Sequence, residues 1–306
     1  MKKYLTLGDF LSRYNSQEAC LEEIIRLKYP EGVFCPKCGK VRKHYKLKNR
    51  TQYSCGHCGH QFSPLKGTIF ENSKTPLVYW FYAMFVMIQT RSGLSACQLQ
   101  RELGVTYKTA WTMLHTIRTL MREDQYFEKG IVEIDETYIG GNFHNNFRKI
   151  YIQGQEKEPV MGIVKRKGSV KMIHLPGTGK VSFIKPILKY VGKDVKIMTD
   201  QHRNYDNLYR YGYKHKSVLH RRHFKVGNCY TQNIENVWSH FKRGIEGVYR
   251  GVSKKHLQKY ADEFSYRYNH RNDPNAFSSL LSKGVKTSKK HGKSSKEETP
   301  PDQLPF

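Results

Sequence analysis

Four cysteines constrain this chain more than anything else in it. Cys35-Pro36-Lys37-Cys38 and Cys55-Gly56-His57-Cys58 are two Cys-x-x-Cys pairs with 16 residues between them. Each pair at that spacing turns two thiolates toward one ion, and two pairs complete a tetrahedron. Residues 31–63 are therefore expected to form a zinc ribbon around a structural Zn²⁺ ligated by Cys35, Cys38, Cys55 and Cys58, with no open position. Gly39, Gly56 and Gly59 permit the tight backbone of the knuckles. A basic hairpin, Val41–Tyr53, is expected between them, turning near Asn49-Arg50. His44, His57 and His60 lie close enough to substitute as ligands, but four cysteines already fill the site. So small a segment has little core and needs its ion to fold.

The rest of the chain is dominated by charge. Its 306 residues carry 53 Lys and Arg against 26 Asp and Glu, a formal net charge of +27. The length suits two or three domains with a real core. Basic residues spread through folded-looking segments favour a polyanionic partner, because each one that neutralises a phosphate releases a condensed counterion. The opening Met1-Lys2-Lys3-Tyr4-Leu5-Thr6-Leu7 lacks the apolar core of a signal peptide. The most apolar run, Leu77–Ile88, is too short to span a bilayer. Cysteines spaced for a metal in a chain with no secretory signal point to a reducing cytoplasm, so the expected setting is cytoplasmic, nucleoid-associated and without a membrane partner.

Apolar periodicity orders the remaining segments. Residues 1–30 form a helical segment ended by Pro30. Residues 63–74 read as a linker or short extended stretch, and Leu77–Gln89 as an apolar helix. Within residues 75–125 a helix-turn-helix is expected: Ser95–Leu103, a turn at Gly104-Val105, and a second helix from its cap Thr106 to Arg122. Leu99, Leu103, Val105, Ala110, Met113, Leu114 and Ile117 are its buried face, which turns Tyr107, Lys108, Thr109 and Thr112 toward solvent or DNA. Residues 130–280 then read β-β-β-α-β-α-β-α. The strand Ile131–Tyr138 comes first, then a basic loop over Gly140–Glu158 and a hairpin over Pro159–Pro176 turning at Arg166–Gly168. A helix over Val181–Val191, the strand Val195–Asp200, a short helix over Tyr205–Tyr211, a strand over His215–His220 and a helix over Ile234–Ile245 follow. One more helix is expected over 252–280, and a disordered basic tail over 281–306.

The first of those strands holds Glu133, Asp135 and Glu136, an acidic island in a basic chain. Asp135, Asp200 and Glu235 stand on a strand, a strand end and a helix, with 64 and then 34 residues between them. Converging carboxylates of this kind repel one another unless divalent cations are present, and they suit two Mg²⁺ ions, with Mn²⁺ as a substitute, in phosphoryl transfer. Glu133 shares a strand face with Asp135, whereas Glu136 leaves the opposite face, which makes both weaker candidates. Asp206 is weaker still, because it lies in a helical run. Lys242 follows Glu235 by two helical turns on the same side, where it can hold a DNA phosphate beside Arg243.

The runs Val-Glu-Ile-Asp-Glu-Thr-Tyr-Ile-Gly-Gly (132–141), Met-Thr-Asp-Gln-His-Arg-Asn-Tyr (198–205), Asn-Ile-Glu-Asn-Val-Trp-Ser-His-Phe-Lys-Arg-Gly (233–244) and Asp-Glu-Phe-Ser-Tyr-Arg-Tyr-Asn-His-Arg (262–271) resemble bacterial insertion-sequence transposases of the zinc-ribbon type. The resemblance covers roughly residues 5–280 and includes Leu103–Trp111. It implies an α/β multi-domain chain, with the ribbon and helix-turn-helix preceding an RNase H-like mixed sheet of the DDE superfamily flanked by helices. It also implies Asp135, Asp200 and Glu235 as catalytic metal ligands and Lys242 as the basic residue on the same helix. Related elements use Asn as the third ligand, and Asn233 and Asn236 flank Glu235. Glu235 is preferred because a carboxylate binds Mg²⁺ more strongly than an amide. The implied activity is Mg²⁺-dependent cleavage at inverted-repeat ends and joining to target DNA, by a homo-oligomer on double-stranded DNA. A nuclease of the same fold without joining activity, or a non-catalytic DNA-binding regulator, are the alternatives.

Overall fold

The computed structural model describes residues 4–41, 43–48, 50–140, 157–201, 203–218 and 230–287. Expectations placed on Asn49, on the loop after Gly140, on His220 and on the tail from residue 288 onward lie outside the described residues. In chain order the elements begin with α1 (Leu7–Arg13), α2 (Gln17–Lys28), β1 (His44–Lys46), β2 (Tyr53–Cys55), β3 (Gln61–Phe62), α3 (Leu77–Gln89), α4 (Ala96–Leu103) and α5 (Tyr107–Leu120). They continue as β4 (Gly130–Ile139), β5 (Glu158–Lys165), β6 (Val170–His174), α6 (Lys180–Tyr190), β7 (Val195–Asp200), β8 (Lys214–Val218), α7 (Gln232–Gly244), α8 (Lys254–Asn269) and α9 (Ala276–Lys286). Two compact units result, one of residues 4–15 with 78–281, the other of residues 16–77 with 282–287.

The smaller unit holds α2 and the three-stranded antiparallel sheet β1-β2-β3. β1 pairs with β2 from His44 opposite Cys55 to Lys46 opposite Tyr53, the hairpin expected between the cysteine pairs. The segment after the ribbon is not a loose linker. Ile69 and Phe70 are buried within it, and Ile69 N–H donates to the Gly284 carbonyl at 3.0 Å.

In the larger unit β4–β8 form one mixed sheet in the order β6-β5-β4-β7-β8. β5 is antiparallel to both its neighbours, while β4, β7 and β8 run parallel. Numbered within this sheet, the order is 3-2-1-4-5 with only the second strand reversed, which is the RNase H-like arrangement. β5 is buried along nearly its whole length because both sheet faces are covered. On one face Val132, Ile134, Met161, Ile163 and Ile197 pack with Phe183 and Ile187 of α6 and with Tyr205. On the other, Val160, Val164 and Met172 pack with Ile234, Trp238 and Phe241 of α7 and with Leu257 and Phe264 of α8. Burying each of the larger side chains contributes about 1.5–3 kcal/mol.

The short helix expected over Tyr205–Tyr211 is a pair of 3-10 turns, Arg203–Tyr205 and Leu208–Tyr211. α7 continues past Gly244 as a π-helical turn, Ile245–Tyr249. The single helix expected over 252–280 is two, and the second, α9, runs on to Lys286, into the stretch expected to be a disordered tail. Pro274 has no amide hydrogen to continue a helix and disfavours helical backbone at Asp273, so the chain breaks between α8 and α9.

α4 and α5 meet at Gly104, whose left-handed backbone caps α4, and the Thr106 hydroxyl accepts from Thr109 N–H to cap α5. Leu99, Ala110, Met113, Leu114 and Ile117 are buried as expected, with Leu103 and Val105 half-buried. α5 is tied to α8 by a fully buried ion pair, Arg118 Nε donating to Glu263 Oε2 at 2.6 Å, while the guanidinium lies 4.1 Å from the Tyr260 ring centroid. Tyr249 donates a second bond to the same carboxylate at 2.7 Å.

Candidate active site and zinc centre

The two knuckles of the ribbon are built alike. Gly39 N–H donates to Cys35 O at 2.8 Å, and Gly59 N–H to Cys55 O at 2.9 Å. Both glycines have positive φ, +66° and +68°, a conformation most side chains resist. The turns bring the ligand atoms of Cys35, Cys38, Cys55 and Cys58 within 4.8 Å of one another. Cys35 and Cys58 sulfurs lie 3.6 Å apart, and those of Cys38 and Cys55 lie 3.9 Å apart. A tetrahedron of thiolates about 2.3 Å from Zn²⁺ has edges of about 3.8 Å, so the donor set fits that ion. His44, His57 and His60 are not in the cluster, and His44 instead packs edge-on to Phe62.

The acidic site forms where two parallel strands part. β4 pairs with β7 only as far as Glu133 opposite Met198. From Ile134 onward β4 keeps its bonds to β5 but has a free edge toward β7. Asp135 lies just beyond that parting and Asp200 ends β7, so both stand at the carboxyl end of the parallel β4–β7 pairing, where open α/β sheets commonly bind ligands. Carboxylate oxygens of Asp135, Glu136 and Asp200 come within 4.8 Å of one another.

Glu136 is therefore a correction to the strand-face argument. Its side chain does turn to the opposite face, where the Tyr205 hydroxyl donates to it at 2.7 Å. Beside the free edge, however, alternation does not keep its carboxyl away from that of Asp135. Glu235, by contrast, is not a member of this cluster. It is exposed on the first turn of α7 and accepts from the Thr231 hydroxyl at 3.3 Å.

What seats α7 against the site is a set of contacts that sequence reasoning missed. Trp238, one turn after Glu235, donates its indole N–H to Asp135 Oδ2 at 2.9 Å. Thr231 makes no side-chain cap at the start of α7. The buried Glu133 carboxylate caps the helix from β4, accepting from Asn233 N–H at 2.9 Å and Ile234 N–H at 3.3 Å. Negative charge is favourable at a helix N-terminus, and these bonds satisfy amides that would otherwise be orphaned. Asn233 Nδ2 also donates to Glu133 at 2.7 Å, so this amide is engaged away from the acid cluster. Arg166 neutralises Glu133 at 2.8 Å, donates to Tyr230 O at 3.0 Å and lies 3.6 Å from the Tyr230 ring centroid. The only forward signal was the shared face of Glu133 and Asp135.

Gly162 stands opposite Asp135 on β5. A Cβ there would come within 2.5 Å of Ile234 Cδ1 and 2.7 Å of the Trp238 ring. The bare backbone is what lets Trp238 cross β5 to reach Asp135. Gly162→Ala is expected to destabilise the fold by about 1–3 kcal/mol through overpacking and to displace the indole. Denaturant unfolding and loss of the Trp238 indole N–H signal shift by NMR report the two effects, and a variant of wild-type stability would contradict the packing argument.

The acid cluster fits a hard divalent cation in donor type and in electrostatics. Burial, reinforced by the Asp200 and Glu136 carboxylates, pushes the Asp135 carboxyl up to about 7. Folding thus favours its protonated form. In the cation-free protein that contribution is full below the ordinary carboxylate range and is lost as pH rises through about 7. A divalent cation bound there would take the place of the proton, so Mg²⁺ is expected to raise the melting temperature more at about pH 8 than at about pH 5. Equal shifts at the two pH values would count against this site.

Of the residues expected to touch DNA, Tyr107, Lys108 and Thr112 are exposed on α5, and Lys242 and Arg243 are exposed at the end of α7. Thr109 is half-buried, with its hydroxyl 2.9 Å from that of Thr106.

The chain resembles known proteins in both units. Residues 128–269 match the ISXO2-like transposase domain, and residues 15–61 match the transposase zinc-ribbon domain. A protein of the transposable element ISH50 from Halobacterium salinarum is 24% identical over 274 residues, covering 84% of this chain and 92% of that one. A transposase-like protein from Haemophilus influenzae is 29% identical over 103 residues, 34% of this chain and 83% of that one. A pre-cleavage Mos1 transpososome structure aligns over 70% of this chain and 81% of its own at 12% identity, but its TM-score of 0.29 is too low to bear on the fold. Matched in its ribbon and in its sheet-bearing region, the chain carries an ISXO2-like transposase domain preceded by a transposase zinc-ribbon domain.

Proposed function

We propose that this transposase binds the inverted-repeat ends of its own insertion sequence, cuts there and joins the freed 3′-hydroxyl to target DNA. The observation that carries this is the convergence of Asp135 and Asp200 at the parting of β4 and β7, with α7 anchored on Asp135 by Trp238. Two divalent ions, Mg²⁺ or Mn²⁺, would supply Lewis-acid activation of the attacking oxygen and stabilisation of the leaving one. Asp135 and Asp200 provide their shared carboxylates, and Glu235 completes the set from α7. Glu136, held by Tyr205, adds negative charge beside them.

In each step a water or 3′-hydroxyl oxygen bonds to phosphorus while the phosphodiester bond to a 3′-oxygen breaks, and the attacking proton passes to solvent. No covalent protein intermediate is needed. Lys242 and Arg243 hold the phosphates of the cut strand. Tyr107, Lys108, Thr109 and Thr112 position the element end along α5, and the net charge of +27 draws DNA to the chain. The reaction joins paired ends, so the working form is a homo-oligomer on DNA. No helix among the described residues is long and apolar enough to cross a membrane.

Labelled duplexes carrying the inverted repeats that flank the gene, incubated with the protein, Mg²⁺ and a target plasmid, test the proposal. Joined products support it. Cut ends that never join would instead assign a nuclease.

A further inference from the structure

A cavity of about 530 Å³ lies between the start of α5, the residues leading into α4, and the Gly247–Ser253 stretch before α8. It shares no residue with the acid cluster, and no carboxylate is among its lining residues. Arg101 and Arg250 are exposed at its rim, and Tyr107 and Trp111 present aromatic surface to it. Trp111 stacks on His115 at 3.9 Å between ring centroids, and His115 meets His256 edge-on at 4.7 Å. His115 is 5% exposed, and its Nδ1 has no hydrogen-bond partner among the described residues. The Nδ1 of His256 is likewise unpartnered. Both Nδ1 atoms are enclosed by protein, so neither itself faces the cavity.

The chemistry of the walls specifies a ligand. Aromatic faces take a flat ring, and two guanidinium groups take an attached phosphate. Burial, then the charges of Arg118, His256 and Lys259, push the His115 imidazole down to about 3, so it lies uncharged behind the Trp111 ring. Arg118 is already committed to Glu263 and is not available to an anion. The volume is in the range of pockets that hold nucleotide-sized ligands.

We infer that this cavity receives one unpaired nucleotide of the DNA bound along α5, its base against Trp111 and Tyr107, its phosphate at Arg101 and Arg250. The inference rests on the DNA-binding reading above. A base inside a duplex cannot reach such a pocket and must be extruded, which is cheapest where pairing is already broken.

Full-length protein is titrated, without divalent metal, with a short duplex carrying one bulged 2-aminopurine, with the same duplex fully paired, and with free dAMP. The expected result is about tenfold tighter binding of the bulged duplex, with its emission quenched, since base–aromatic stacking contributes on that scale. Trp111→Ala should remove the preference while leaving binding to the paired duplex, and Trp111→Phe should restore it. Should Trp111→Ala fail to fold, a bulged 5-iododeoxyuridine duplex cross-linked to the unaltered protein decides the matter, because the adduct should map to Tyr107 or Trp111. Equal affinity for bulged and paired duplexes, or an adduct elsewhere, would overturn the inference and leave the proposed function standing. Binding of free dAMP with no bulge preference would overturn the DNA source. Failure to bind either duplex would remove both proposals.

Discussion

Asp135→Asn is expected to lower cleavage and joining of element ends by at least roughly a thousandfold, the scale of the several kcal/mol that metal-held charge contributes to phosphoryl transfer. Asp200→Asn should do the same. Both variants should bind end duplexes as the parent does, because neither carboxylate faces DNA except through a cation. A gel-shift assay and a strand-transfer assay on the same preparation separate the two effects. Asn at 135 can still accept from the Trp238 indole, so α7 should stay seated. Loss of binding together with activity would mean that Asp135 is structural.

The same assays rank the third acid. Glu235→Gln should match the loss at Asp135, whereas Glu136→Gln should leave measurable joining, since Glu136 is held by Tyr205 and serves to deepen the local negative charge. The reverse ranking would assign the third position to Glu136, which already lies in the cluster. Asn233→Ala should weaken the start of α7 through lost contact with Glu133 rather than through lost metal binding.

Removal of zinc carries the other large effect. Strands of three, three and two residues bury too little to fold alone, while structural Zn²⁺ in small domains contributes about 10–16 kcal/mol. Chelation, or Cys38→Ser, should abolish amide protection across residues 33–62 in hydrogen exchange and weaken binding to element ends. Protection in β4, β5 and β7 should persist. An unaltered exchange pattern in protein free of zinc by metal analysis would contradict the ribbon assignment.

Much of this architecture is legible in the order of residues. Alternation marks β4, and the turn at Arg166–Gly168 marks the hairpin of β5 and β6. Cysteine spacing specifies the ribbon, and Ser95, Gly104 and Thr106 mark the ends of α4 and α5. These are local signals. What escaped depends on tertiary register. Glu133 looks like a spare carboxylate until β4 is placed beneath α7, where it becomes the helix cap. Gly162 looks like a weak point in a strand until Trp238 is laid across it. Glu136 looks excluded by alternation until β4 parts from β7. Pro274 is itself a local stop signal, which the expectation of one helix over 252–280 does not use.

The central claim is that Asp135 and Asp200 are a shared metal site completed from α7. Anomalous diffraction from crystals of the full chain soaked in Mn²⁺ tests it most directly. Manganese bound between the Asp135 and Asp200 carboxylates, with Glu235 among the ligands, is the predicted result. Manganese held elsewhere, or a site at the parting of β4 and β7 that takes up none, would contradict it.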